Sequence, residues 1–446
     1  MKIKCIKLDG YRNLHNVVLK PNDFCSLIGL NNYGKSNLLH AIVYGISFLK
    51  VSNTEKEKMM KCISDIPINK KLYKLNFFME LELSFTEKES KEFAEIKYSF
   101  SHSWIKKDKA GNPVSKILSE SLQLKPRGTS KKYEQFIKRE GQKALYKSSP
   151  SSRCDTQIKI QSTELVANKL RAFDNLPYLK ELNCLQNIDF QIERNFDANF
   201  SYMNLMPIIM KDVSGLESIS ENDLPRALAF LKNEQNEKYK LIIDAFLQLF
   251  PSIQELKINT FKVDVKKGPI FPKDVPFVLS DETYKLTVID RNLNQQVDFQ
   301  MLSDGAKRIL VVLTMVVIAS LRGFLAFAIE EPENSIHPAL LQKLLRLLDA
   351  LRGEMQIFFT SHSPYLVQFV NLEDIYFGIP NNDEVAMFGN IASKAKRNKL
   401  IKEAANDDTT LGEYCFNMLL DMHSNPDLIK ELFAKEVADE LKANLL

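Results

Sequence analysis

Two glycines, a lysine and a hydroxyl stand in Gly29-Leu30-Asn31-Asn32-Tyr33-Gly34-Lys35-Ser36 at the spacing of a phosphate-binding loop. Such a loop turns successive backbone N–H groups toward an anion, and the start of a helix adds its positive dipole end. Gly29, Asn31, Asn32, Tyr33 and Gly34 would form the cradle. Lys35 can reach the β- and γ-phosphates of a nucleoside triphosphate, and Ser36 can hold Mg²⁺. The flanks supply the required setting: Phe24, Leu27 and Ile28 form an apolar run before Gly29, and Leu38, Leu39, Ile42 and Val43 recur at helical spacing after Ser36. A glycine turn that merely caps a helix is the bland alternative, and this context disfavours it.

A second group of reactive residues lies near the other end of the chain. Ala326-Phe327-Ala328-Ile329-Glu330-Glu331 is an apolar strand that ends in two acids. Acids at the carboxyl end of a buried strand sit beside the phosphate loop in open α/β sheets. Glu330 would support Mg²⁺, directly or through water, and Glu331 would polarise an attacking water as general base. Ser303 and Gly305 precede a helical run, where Ser303 can cap the helix and meet an anion at its N-terminus. Ile357 to Thr360 predicts another strand, and His362 just beyond it is placed to hydrogen-bond a γ-phosphate.

These residues need elements to position them. Met1 to Leu8 alternates like a strand, and so does Asn76 to Phe85. The pattern weakens from about Glu87 to Phe200. Leu124 to Arg153, rich in Lys, Arg, Ser and Gly, predicts a mobile or extended insertion. Leu224 to Phe250 predicts helix ended by Pro251. Strands are expected at Leu256–Val265 and Tyr284–Asp290, then a second α/β block from Met301 to about Ile379, then a helical tail from Ser393. Ile309 to Ile329 predicts a buried helix to Leu321, a turn at Arg322-Gly323 and a buried strand, since the apolar run is too short for a membrane span. The 446 residues are too many for one simple core, and the 45% apolar and 26% charged content is that of a globular protein. A net charge of +4 is too small to mark a nucleic-acid binder by itself. Six scattered cysteines with no C-x-x-C pair indicate neither a zinc ribbon nor a disulfide framework, and reduced thiols in a cytoplasmic protein are the simplest expectation.

The order of phosphate loop, Leu-Ser-x-Gly, strand with two acids, Pro-Glu-Asn-x-x-His-Pro and Thr-Ser-His-Ser-Pro resembles the ABC-type ATPases. It is most similar to the branch holding the OLD-family ATPase domains and related antiphage defence proteins. Ile329 to Pro338 is the most specific element. Gly10-Tyr11-Arg12-Asn13 looks like that branch's opening motif, which places Arg12 among the nucleotide-binding residues. Asp223 through Pro251 resembles its helical segment before the signature. The likeness covers roughly residues 1–85 and 220–380. It implies an α/β, two-lobed ABC/SMC-like ATPase head with mixed β-sheets, a helical insertion and a helical C-terminal tail. The parts would be 1–85 and 256–380 for the head, 86–255 for a largely helical insertion with the basic segment, and 381–446 for the tail. By the same likeness, Ser303 and Gly305 are the signature that touches the nucleotide of a facing subunit. Asn334, Ser335 and His337 lie on the interface segment, and His362 is the switch histidine. Asp304 and Glu330 depart from the commonest residues at their positions, and the glutamine loop is not placed.

The resemblance implies ATP and Mg²⁺ as cofactors and a homo-oligomer with the dimer as minimal unit. OLD-family nucleases continue into a Toprim domain. Here the later acids Glu373, Asp374, Asp407, Asp408 and Glu413 lack its pattern. The expectation is therefore an ATPase subunit, on the plan of the Septu and PARIS systems, that controls a separate nuclease or other effector. A DNA-repair ATPase of the recombination-mediator type, clamping DNA, is the alternative. Lys125, Arg127, Lys131, Lys132, Lys138, Arg139, Lys143, Lys147 and Arg153, with a second group from Lys394 to Lys402, read either as a solvated loop and a basic helix face or as a surface for sequence-independent nucleic-acid binding or an acidic partner. A transporter subunit is disfavoured, and no membrane partner is expected.

Overall fold

The computed structural model describes residues 1–61, 66, 68–72, 75–104, 106–107, 113–128, 132–193, 208–210, 223–264, 277–379, 385–391, 393–424 and 433. The chain divides into two compact units. One comprises Met1–Ile192, Ala328–Glu330 and Gln356–Leu446, and the other Glu193–Phe327 and Glu331–Met355.

The first unit holds two sheets. The larger runs in the order Cys154–Gln157, Lys143–Lys147, Glu134–Glu140, Ile117–Pro126, Phe93–His102, Phe77–Ser84, Lys2–Asp9, Val17–Leu19, with every neighbouring pair antiparallel. Alternation drives it: Phe77, Met79, Leu81 and Leu83 are buried while Glu80 and Glu82 between them pair with Lys7 and Lys97 on the other face. The smaller sheet runs Phe190–Glu193, Ala326–Glu330, Gln356–Ser361, Phe24–Ile28, Ile375–Ile379, Met387–Gly389. Phe24–Ile28 is parallel to both of its neighbours. Its strands are almost wholly buried, which is why they read as continuous apolar runs.

The region from 86 onward corrects one expectation. The described residues of Phe93–Gln157 supply five strands of the larger sheet, so the basic segment takes the extended form of the two expected for it, and the largely helical insertion is not found there. The apolar period of these strands is masked because polar groups occupy inward positions. His102, Glu120 and Arg139 are all buried. Glu120 accepts from Tyr98 Oη at 2.8 Å and from the backbone N–H of Val166 and Ala167 at 2.6 and 2.8 Å, so a carboxylate docks the start of helix Val166–Leu170 on the sheet. Burial raises its pKa, against those same donors. Helix then follows at Leu179–Gln186.

The second unit packs helices Leu224–Glu234, Asn236–Leu249, Asp304–Leu321 and Pro338–Leu351 with a three-stranded antiparallel sheet, Ile253–Lys262, Glu282–Asp290, Gln296–Asp298. The helical run expected from Leu224 to Phe250 is broken at Gln235, whose backbone leaves helical angles between the two helices. Asp304–Leu321 is buried along nearly its whole length, as its all-round apolar sequence requires. The tail forms helices Lys394–Asn406 and Leu411–Ser424. The remainder of the expected helical tail lies outside the described residues, Phe433 apart. Among the described residues no helix is long and apolar enough to cross a membrane.

Candidate functional site

In the first unit, strand Phe24–Ile28 runs into the glycine loop, and helix Lys35–Lys50 leaves it. Asn32 and Gly34 have φ of +67° and +82°, the left-handed steps that curl the loop. Glycine is needed at 34 on a second count, since a Cβ there would lie 2.4 Å from that of Ala386. Gly34 caps the helix without a side-chain hydrogen bond, and no acid stands in the first turn, so the positive end is left to an anion. Lys35 is buried and folds back to donate to the carbonyls of Gly29 at 2.7 Å and Leu30 at 2.8 Å. Asn31, Asn32 and Ser36 are exposed and Tyr33 half-buried.

His362 comes to the same loop through strand register. Ile357 to Ser361 pairs residue by residue with Phe24 to Ile28, in parallel, and Gly29 N donates to the Ser361 carbonyl at 3.2 Å. The residue after one strand end therefore lies at the edge where the other strand releases the loop. His362 is exposed there. Glu330 ends the strand on the far side of Gln356–Ser361 and is half-buried. The hydroxyl of Ser36 and the carboxylate of Glu330 are hard oxygen donors, and Mg²⁺, which keeps phosphate and water ligands, fits so small a protein set.

The Gly10–Asn13 motif is latched onto the same helix. Arg12 Nη1 donates to Asn37 Oδ1 at 2.8 Å, and Asn37 Nδ2 donates to Asn13 Oδ1 at 2.8 Å. Arg12 has φ of +53°, and its Nε is buried with no hydrogen-bond partner among the described residues. Tyr11 anchors the turn in a cluster with Tyr44, Phe77 and Trp104, whose indole donates to the Gly10 carbonyl at 2.8 Å. Asn37 escaped the sequence reading. Its only signal was a place in the first turn, beside Ser36.

The second unit holds the remaining residues. Ser303 caps the helix Asp304–Leu321, accepting from Ala306 N at 3.3 Å. A Cβ on Gly305 would stand 2.4 Å from the Ser335 carbonyl, so the signature segment and the interface segment meet each other within one chain. His337 caps Pro338–Leu351 through Nδ1, accepting from Ala339 N at 3.3 Å. Glu331 and Ser335 have φ of +50° and +62°. Each such conformation costs roughly 1–3 kcal/mol and persists only where neighbours enforce it. At Glu331, Asn334 Nδ2 donates to Oε2 at 2.6 Å, and Arg308 Nη2 donates to the backbone carbonyl at 2.6 Å. Burial lowers the Arg308 pKa, while Glu333 and Glu331 raise it. Arg308 also escaped the sequence reading, because a hydrogen bond to a distant carbonyl leaves no periodic trace.

The basic segment divides between side chains with internal partners and exposed ones. Arg139 is buried and donates to the carbonyls of Gly141 and Glu164 at 2.8 and 2.5 Å. Arg127 donates to those of Ser90 and Phe85 at 2.8 and 3.1 Å. Lys125, Lys138 and Lys147 pair with Glu95, Glu140 and Glu134. Lys132, Lys143 and Arg153 are exposed, and Lys131 lies outside the described residues. In the second group, Arg397 and Lys396 donate to the carbonyls of Ile391 and Phe433.

A triphosphate-type glycine loop leaves a strand parallel to both its neighbours, and a strand ending in an acid and another leading to a histidine lie in the same sheet, as expected of a phosphate-loop ATPase. The sequence agrees: residues 1–367 match the AAA ATPase domain model, and the chain belongs to that family. No curated protein matches it. Solved structures similar to it include an SMC head bound to the C-winged helix domain of ScpA (12% identity, 89% of this chain and 100% of that one, TM-score 0.48). Others are the SMC head domain from Thermotoga maritima (12%, 88% and 100%, 0.42) and the Pyrococcus furiosus SMC head with an extended coiled coil, bound to the C-terminal domain of ScpA (11%, 91% and 99%, 0.46). Likeness at that level decides nothing about partners or activity.

Proposed function

We propose that this chain is the Mg²⁺-dependent ATP-hydrolysing subunit of an antiphage defence system, acting as a homo-oligomer in the cytoplasm and controlling a separate nuclease effector. The observation that supports hydrolysis is the parallel register that sets the Gly29–Ser36 loop beside the strand leading to His362. Lys35 would neutralise the β- and γ-phosphates, Ser36 and Glu330 would hold Mg²⁺, and the cation would offset charge on the phosphates. Glu331 would take the proton of the attacking water, and His362 would donate to the γ-phosphate. Ser303 of a second copy would close the site.

The defence role rests on the resemblance carried by Ile329 to Pro338. The DNA-clamp alternative loses support from the internal roles of Arg127 and Arg139. The test has two parts. Glu331→Gln should retain ATP and lose most turnover, since an amide cannot take a proton. Expressed with its neighbouring genes, the wild-type protein should co-purify with a nuclease and protect cells from phage, and Glu331→Gln should alter that protection. Wild-type turnover in Glu331→Gln would refute the chemistry. Unchanged phage sensitivity together with a DNA-repair defect would refute the defence role.

A further inference from the structure

Glu331 is held from two directions within the second unit. Its carbonyl accepts from Arg308 Nη2 at 2.6 Å and from Asn334 N at 3.1 Å, and its carboxylate accepts from Asn334 Nδ2 at 2.6 Å. The backbone at Glu331 is left-handed, with φ of +50°. A non-glycine residue in that region reverts to ordinary angles unless its neighbours prevent it, and reversion would swing the carboxylate away.

Arg308 lies three residues after Gly305 on the helix that Ser303 caps, so both project from one face. Gly305 sets that face against the Ser335 carbonyl, and Arg308 sets it against the Glu331 carbonyl. One helix thus grips the turn between Glu331 and Ser335 at both ends. Arg308 is buried, and its charge partners are the carboxylates of Glu333 and Glu331. A planar guanidinium held this way gives a fixed direction, which a flexible ammonium does not.

We propose that Arg308 is a positioning residue for ATP hydrolysis: by clamping the Glu331 carbonyl it fixes the carboxylate toward the attacking water, and it ties that orientation to the seating of the Ser303 helix start. The inference rests on Glu331 being the general base. Asn334, assigned by resemblance to a subunit interface, acts in the same clamp from the side-chain end.

The experiment is a double-mutant cycle on the full chain. Arg308→Met, Arg308→Lys and Asn334→Ala are made alone and in Glu331→Gln, and single-turnover rates and ATP affinity are measured. Misplacing a reacting group by about 1 Å costs up to about 100-fold. Arg308→Met should therefore lower the rate roughly 10- to 100-fold with ATP affinity within about twofold, and Arg308→Lys should recover part of it. In Glu331→Gln the same substitution should change the residual rate less than about twofold, because the group it positions is gone. Equal losses in both backgrounds, or a parallel loss of ATP affinity, would overturn the proposal. If Arg308→Met does not fold, the dependence of Arg308→Lys on background decides in the same way. Wild-type turnover of Glu331→Gln alone would instead overturn the base assignment.

Discussion

Replacing Gly305 by alanine separates two reasons for a glycine in Leu302-Ser303-Asp304-Gly305. If it is glycine only to admit the nucleotide of a facing subunit, an isolated chain should tolerate the methyl group. Within the chain, however, the new Cβ would sit 2.4 Å from the Ser335 carbonyl oxygen and 3.5 Å from its carbon. Ordinary C···O contacts lie near 3.3–3.6 Å, so the turn or the helix start must move by about 1 Å. Ser335 has little room to yield, with φ of +62° and buried Ile336 next in sequence. Such overpacking costs about 1–3 kcal/mol, and the alanine recovers about 0.5–1 through its lower unfolded-state entropy. A net loss of up to about 2.5 kcal/mol, centred on about 1, corresponds to a fall of up to roughly 10 °C in Tm for a unit of 150–250 residues. Calorimetry on dilute protein without nucleotide reads it directly. Ser335→Gly, which frees the carbonyl to shift, should restore part of the loss. An unchanged nucleotide-free Tm, with ATPase activity lost, would refute the contact within one chain and leave the facing subunit as the reason.

Three further outcomes are expected. Lys35→Ala should weaken ATP at least tenfold in titrations with labelled nucleotide, since a lost charged contact costs about 1.5–3 kcal/mol; unchanged affinity in folded protein would remove the loop from the site. Mixing Lys35→Ala with Ser303→Arg, each inactive alone, should recover some ATPase activity if sites are shared between subunits, and failure despite mixed assembly in a tag pull-down would refute sharing. Burial holds His102 neutral, with its pKa lowered to about 3. The unfolded chain then binds more protons below the ordinary histidine pKa of about 6.5, so this contribution to stability is present above that pH and is lost as the pH falls toward 3. Each tenfold loss of proton affinity on folding is worth about 1.4 kcal/mol, and His102→Phe, in a site already stacked on Phe48 and Phe77, should flatten the decline between roughly pH 6.5 and 5 by about 2 kcal/mol in urea melts. An unaltered slope would mean that the imidazole becomes protonated in the folded state.

The nucleotide core was legible because its signals are local. The run ending at Ile28, the glycine spacing and the helical period after Ser36 lie within one short stretch, as do Ala326 to Glu331. The larger sheet was illegible beyond Phe93 because His102, Glu120 and Arg139 face inward, where Tyr44 meets His102 Nε2, the Val166 and Ala167 amides meet Glu120, and carbonyls near Glu164 meet Arg139. A buried charge with distant partners looks, in sequence, like a surface residue. For the same reason Arg127 and Arg139 read as part of a solvated or phosphate-tracking surface, whereas they donate to carbonyls within the fold. The left-handed backbone at Glu331 had no sequence mark at all, since only tertiary contacts enforce it.

The register between Phe24–Ile28 and Gln356–Ser361 also bears on synthesis. The strand that feeds the phosphate loop leaves the ribosome before its partners, Ile357 to Ser361 and Ile375 to Phe377, which are made more than three hundred residues later. At about 5–20 residues per second, that strand waits from roughly fifteen seconds to over a minute with both edges open. Nascent chains should therefore gain ATP affinity only after Ile357–Ser361 and Ile375–Phe377 have emerged. Ribosome-stalled chains ending before residue 356 should bind none, whereas chains with residue 391 clear of the exit tunnel should bind. Throughout that interval a strand with two unpaired sides is a template for aggregation.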